Sequence, residues 1–392
     1  MKPTSLDLYQ LIRACSHHEK AWFRNYAHIH THSKSPAYLW LFETIVAAPE
    51  IDEQAFKTAF AEHYPAANFA PTKAHLSTQL MRAMLLFHKD DDVEIRLEVL
   101  LSQILITYRK GLHRLSRKLL DQALEMAAIA HNNYKLQRLL HIQIRLLLAN
   151  GFAGVQREAI DEGFEALEEN HRHLKATMFY YSEVLRDQYQ FRRAMNEKGP
   201  DRAEVIQKIL NRKKDPPPTE EVGFYARLAY ISTGIVTASV MGDLPKALEI
   251  NTQRLEILGA EPRTLRASHL AMYNFLMATL NQCILQYYLE GYENMAEVLA
   301  KLESFKNAPV IRASEQLSTT FHYVFNRCHV WLLLKKGQFE KALPHVRAIE
   351  KRWENMQRFL NPGAFGSPKP TTHNPPNPNP PPPTPKPNTP TP

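Results

Sequence analysis

A short turn signal recurs along the chain: a glycine that ends one apolar helical stretch, with a small residue five positions further on. It appears as G-D-L-P-K-A from Gly242 to Ala247 and as G-Y-E-N-M-A from Gly291 to Ala296. It returns as G-Q-F-E-K-A from Gly337 to Ala342 and as G-L-H-R-L-S from Gly111 to Ser116. Glycine tolerates the left-handed conformation that closes a helix, and a small residue lets the next helix approach closely. Repetition of such punctuation marks stacked helix-turn-helix units. Weaker echoes stand at Gly151 and around Tyr189 to Ala194, so the signal returns at intervals of roughly 40–50 residues, longer than the tetratricopeptide period of about 34.

The expected fold class follows. The chain is all-α: a right-handed α-solenoid of tetratricopeptide-like hairpins over residues 91–361, behind a small helical region at 1–90. Prolines crowd residues 362–392, where no core can form, and a disordered tail is expected. The basic and proline-rich stretch Arg212–Pro218 reads as a linker inside the longest interval. Hydrophobic residues make up 44% of the chain, enough to feed a continuous core.

Local signals place individual helices. Ser35-Pro36 reads as a cap followed by the first helical position, with a helix from Ala37 to Ala48 that stops at Pro49. Asp52 caps a helix carrying Phe56 and Phe60. Pro65 and Pro71 bracket a loop, and Thr72 opens a helix with Leu76, Leu80, Leu85 and Phe87 on its apolar side. Asp90, Asp91 and Asp92 read as a helix N-terminus, where carboxylates accept free N–H groups and complement the dipole. That helix runs past Leu100 and Ile104 to Tyr108. In the last repeat, Phe339, Leu343, Val346, Ile349, Trp353, Met356 and Leu360 form one apolar stripe. A lone hairpin cannot bury such a face, so neighbours must stack on it.

Nothing in the sequence carries chemistry. No G-x-x-x-x-G-K-[ST] loop, G-x-S-x-G elbow or H-E-x-x-H helix occurs. Cys15, Cys283 and Cys328 are too far apart for a zinc knuckle or a disulfide framework, which fits a reducing compartment. His28, His30 and His32 would share a face only on a strand. Glu158, Asp161, Glu162 and Glu165 read as a solvated helix face, as do Arg114, Arg117 and Lys118. Neither a catalytic residue, a metal site nor a cofactor is expected. Asp7 and Gln10 interrupt any N-terminal apolar segment, and no run reaches the roughly 18 apolar residues of a membrane span. A soluble, cytoplasmic protein is expected.

Two sets of residues are candidates for binding. Asn274, Asn281 and Tyr288 recur every seven residues in one apolar stretch, and His322, Asn326 and His329 share a face in the next repeat. On the first helices of successive hairpins such groups would line a groove and bond a peptide backbone. Interhelical bonds or exposure to water are the plainer account of them. The second set is Lys73, His75, Gln79 and Arg82. These sit where a recognition helix would place base-reading or phosphate-contacting groups, making residues 1–90 a possible helix-turn-helix. The net charge of +8 permits nucleic-acid contact without demanding it. A non-enzymatic scaffold for a protein or peptide partner is the expected function, with a peptide-responsive transcriptional regulator as the alternative. Self-association stays open.

The N-terminal segments L-Y-Q-L-I-R-A-C-S-H-H-E-K-A-W-F-R-N-Y-A, Y-L-W-L-F-E-T-I, D-E-Q-A-F-K-T-A-F and T-K-A-H-L-S-T-Q-L-M-R-A-M are similar to a large family of bacterial tetratricopeptide-type proteins typical of Bacteroidetes. The resemblance spans roughly residues 5–360 and implies an α-solenoid behind a small helical N-terminal region. It implies no catalytic residue, and it implies further helix where this chain turns to prolines.

Overall fold

Several helix starts follow side chains that satisfy the free N–H groups of the first turn. The computed structural model describes residues 7–30, 36–90, 92–149, 156–196, 222–289 and 295–352, with positions 204, 206 and 207. The described residues form seventeen helices and no strand. The first five are α1 (Asp7–Ala14), α2 (His17–Ile29), α3 (Ala37–Ala47), α4 (Glu53–His63) and α5 (Phe69–His88). Asp52 caps α4 through bonds from the Gln54 and Ala55 amides, as its position in the sequence predicts.

Two expected starts are corrected. Helix α5 begins at Phe69 with Asn68 as its cap, not at Thr72. Pro71 falls inside the first turn, where a missing N–H costs nothing. Pro36 is the N-cap of α3 rather than its first helical residue, and it makes no side-chain cap. Ser35 lies outside the described residues. Helices α1 to α5 enclose one core, with Tyr9, Ile12, Phe23, Leu41, Phe42, Phe60, Leu76 and Leu80 almost fully buried. Leu85, expected on that apolar side, is exposed.

The next run comprises α6 (Val93–Arg109), α7 (His113–Ile129), α8 (Asn133–Ala149) and α9 (Arg157–Asn196). Asp92 caps α6, as expected of the aspartate run. The remaining helices are α10 (Phe224–Met241), α11 (Leu244–Gly259), α12 (Pro262–Ala267), α13 (His269–Tyr288), α14 (Met295–Glu303), α15 (Pro309–Ala313), α16 (Glu315–Lys335) and α17 (Phe339–Lys351).

Gly111, Gly242 and Gly337 all take positive φ, at 72°, 74° and 68°. Five residues on, Ser116, Ala247 and Ala342 are all buried. The fourth copy departs from this pattern. Gly291 lies outside the described residues and Ala296 is exposed, because short α14 turns Met295, Leu299 and Leu302 inward instead. The echo at Tyr189 to Ala194 is no turn either. Those residues lie within the 40-residue helix α9. Gly151, the linker at 212–218 and the tail at 362–392 are outside the described residues.

From α6 onward, the long helices pack mainly in chain order: α6 on α7, α7 on α8, α8 on α9, α9 on α10, α10 on α11, α11 on α13, α13 on α16, and α16 on α17. Two main cores follow from this, one within α6–α8 and a larger one from α10 to α16, with a small separate cluster of Ala238, Ala247 and Leu285. A few contacts bridge distant parts of the chain. Thr264 on α12 donates to the Ile129 carbonyl at 2.8 Å, and the His131 ring stacks on Phe224 at 4.7 Å. The expected stripe of α17 is only partly covered. Phe339 and Leu343 are exposed, Val346 and Ile349 are half-buried, and Trp353, Met356 and Leu360 fall outside the described residues.

Candidate functional site

The inward face of α11 carries Ala247, Asn251, Arg254 and Leu258, all buried and spaced by three or four. Two of these four are polar, which is unusual for a core-facing stripe. Asn251 Nδ2 donates to the Ala278 carbonyl at 2.9 Å and to Gln282 Oε1 at 2.7 Å. Gln282 Nε2 donates in turn to Thr252 Oγ1 at 3.0 Å. One turn along, Arg254 Nη2 donates to Asn274 Oδ1 at 2.6 Å, and Asn274 Nδ2 donates to the Leu270 carbonyl at 2.9 Å. These bonds form a polar seam between α11 and α13.

The seam is incompletely satisfied. Asn251 Oδ1 and Arg254 Nε are buried without a hydrogen-bond partner. Among the described residues, no carboxylate pairs with Arg254, and burial alone pushes its guanidinium down to about 10. The group therefore stays charged at neutral pH. A buried charge without an ionic partner is costly.

Asn274 thus serves the α11–α13 seam, while Asn281 is half-exposed and Tyr288 is 67% exposed on the same side of α13. The second triplet lies where α16 meets α17. Asn326 Nδ2 donates to the His322 carbonyl at 2.7 Å, and Asn326 Oδ1 accepts from His345 Nδ1 at 2.9 Å. The His329 and His345 rings stack at 4.7 Å, with Phe325 edge-on to His329 at 4.4 Å. Burial lowers the pKa of all three histidines; Arg352 and Lys306 add to this at His322, and His345 adds to it at His329. His345 thus joins α17 to α16 by its hydrogen bond to Asn326 and its stacking on His329.

The proposed DNA-reading residues are mostly engaged. Lys73 Nζ meets Glu53 Oε1 at 2.7 Å and lies 4.5 Å from the centre of the Tyr9 ring. Gln79 Oε1 accepts from the Tyr26 hydroxyl at 3.4 Å. His75 packs edge-on to Tyr38 at 4.9 Å, while Arg82 is exposed. A recognition helix needs its reading groups free for base edges, whereas Lys73 and Gln79 tie α5 to its neighbours.

The acidic residues Glu158, Asp161, Glu162 and Glu165 are exposed, as are Arg114, Arg117 and Lys118. Among the described residues, no group of three or more His, Cys, Asp and Glu side chains could hold a metal ion, and no helix is long and apolar enough to cross a membrane. Sequence reasoning missed Asn251 and Arg254. The available signal was their place in the run Ala247, Asn251, Arg254, Leu258, where helical spacing puts a cation on the apolar face. No family model, curated protein or solved structure matches the chain.

Proposed function

We propose that the chain is a non-enzymatic scaffold that binds a protein or peptide in the cytoplasm, with the helices from α6 onward stacked as tetratricopeptide-like hairpins of an α-solenoid. The observation that carries this reading is the chain-order packing of the long helices. Serial stacking leaves extended faces rather than a closed catalytic pocket, and repeat proteins use such faces to bind partners. The outer side of α13 supplies suitable groups: Leu270 and Tyr288 are exposed, with half-exposed Asn274 and Asn281 between them. An exposed tyrosine beside amide groups offers contact area together with backbone hydrogen bonding.

The test is selection of peptides from a random twelve-residue library on the full chain, followed by titration of the enriched sequences. Saturable binding is expected, weakened roughly fivefold or more by Tyr288→Ala, as befits loss of one aromatic anchor. An absence of saturable binding, or binding indifferent to α13 substitutions, overturns the assignment.

A further inference from the structure

Arg254 is 8% exposed, yet its guanidinium has one hydrogen-bond acceptor and no acid among the described residues. Its Nε and Nη2 form the side-on fork that matches the two oxygens of a carboxylate. The same chain shows that fork filled elsewhere. Arg24 holds Glu43 with Nε at 2.6 Å and Nη2 at 2.8 Å. At Arg254, Nη2 reaches only a neutral amide oxygen, that of Asn274, and Nε has no partner. Asn274 itself is half-exposed, so the residue that holds the buried cation also reaches the surface.

We propose that Arg254 and Asn274 form a subsite for the side-chain carboxylate of an acidic peptide, with the ligand oxygens taking the place of Asn274 Oδ1 on the guanidinium fork. This assignment rests on the scaffold reading above and names its ligand chemistry. A single guanidinium fork suits a monoanion such as Glu or Asp better than a phosphate dianion. The net charge of +8 favours acidic partners at long range. Exposed Leu270 and Tyr288 flank Asn274 along α13 and can hold the rest of the peptide. A charge-assisted, bidentate contact also gives orientation, which a solely apolar surface cannot.

The experiment uses the full chain and two twelve-residue peptide pools, capped at both ends and randomised over uncharged residues. One pool has a central Glu, the other a central Gln. Selected Glu peptides are expected to bind at least about tenfold tighter than their Gln counterparts, in line with a desolvated charge pair. Arg254→Met should erase that preference. The free variant should melt no lower than the parent, since an unpaired buried charge is removed. Asn274→Asp supplies both oxygens from within the chain. It should raise the melting temperature and also erase the preference, and it keeps the test valid if Arg254→Met fails to fold. Equal binding of both pools overturns this inference and leaves the scaffold reading standing. Binding of neither pool overturns both. A Glu preference that survives Asn274→Asp overturns the subsite alone.

Discussion

Ser16 and Glu19 show how much one side chain can carry. The Ser16 amide donates to Glu19 Oε2 at 2.6 Å and the Glu19 amide donates to Ser16 Oγ at 3.3 Å, a reciprocal cap on α2. The other carboxylate oxygen of Glu19 meets His88 Nε2 at 2.7 Å, joining α2 to the end of α5 across 69 residues. Burial pushes the Glu19 carboxyl up, but the hydrogen bonds from His88 and Ser16 outweigh it and hold the group below the usual range. A depressed carboxylate pKa stabilises the fold above the unfolded value of about 4.3, and that contribution is lost as pH falls through the native value. Thermal midpoints recorded by circular dichroism from pH 7 to pH 3 should therefore fall on the acid side. Glu19→Gln should start lower at pH 7 and show a shallower acid limb. A parallel limb would mean that other carboxylates carry the acid sensitivity. The S-H-H-E spacing is that of a capping box, a local signal that sequence reasoning passed over. The His88 contact has no such signal, since nothing in either segment specifies a partner 69 positions away. Arg254 was only half legible. Its place in the run Ala247, Asn251, Arg254, Leu258 set a cation on the apolar face, but a long arginine there ordinarily reaches water, and tertiary packing shows that this one does not.

Helices declare their ends more clearly than their faces. Asp52 and Asp92 were readable as caps because an aspartate before an apolar run accepts free amides whatever the tertiary context. Pro71 misled because proline marks both loops and first turns, and Asn68 had already begun α5. Helix α9 misled in the opposite sense: a tyrosine-to-alanine interval resembled a turn, yet no glycine is there to break the helix. The last hairpin had the right period but an overestimated covering. The structure buries Ala342, the small residue after Gly337, while Leu343 next to it is 52% exposed. This register can be tested by a pair of substitutions. Ala342→Leu overfills the α16–α17 contact and should cost about 1–3 kcal/mol. Leu343→Gln should stay within about 0.5 kcal/mol. Urea unfolding at equilibrium measures both, and a reversal of the two effects would mean that α17 is rotated about its axis by one residue.

At the scale of the molecule, the separation of the cores decides how damage spreads. The α1–α5 core is distinct from the α6–α8 core, and α5 has only slight contact with α6. The glycine punctuation could not reveal this, because it marks hairpins and is silent on which neighbours share a core. Chains packed in sequence order pass stability mainly between adjacent units. Phe42 is fully buried and lies 4.6 Å from Phe23, ring centre to ring centre. Phe42→Ala should cost about 3–5 kcal/mol through lost transfer energy and the cavity left behind. Each 1.4 kcal/mol is about a tenfold change in an opening equilibrium, so amides of α2, α3 and α5 should exchange on the order of 100-fold faster or more. Amides of α10 and α13 belong to another core and should keep their protection. Hydrogen exchange read by mass spectrometry separates these outcomes. Uniform acceleration along the whole chain would mean that the three cores unfold as one cooperative unit, and the serial architecture would then not hold.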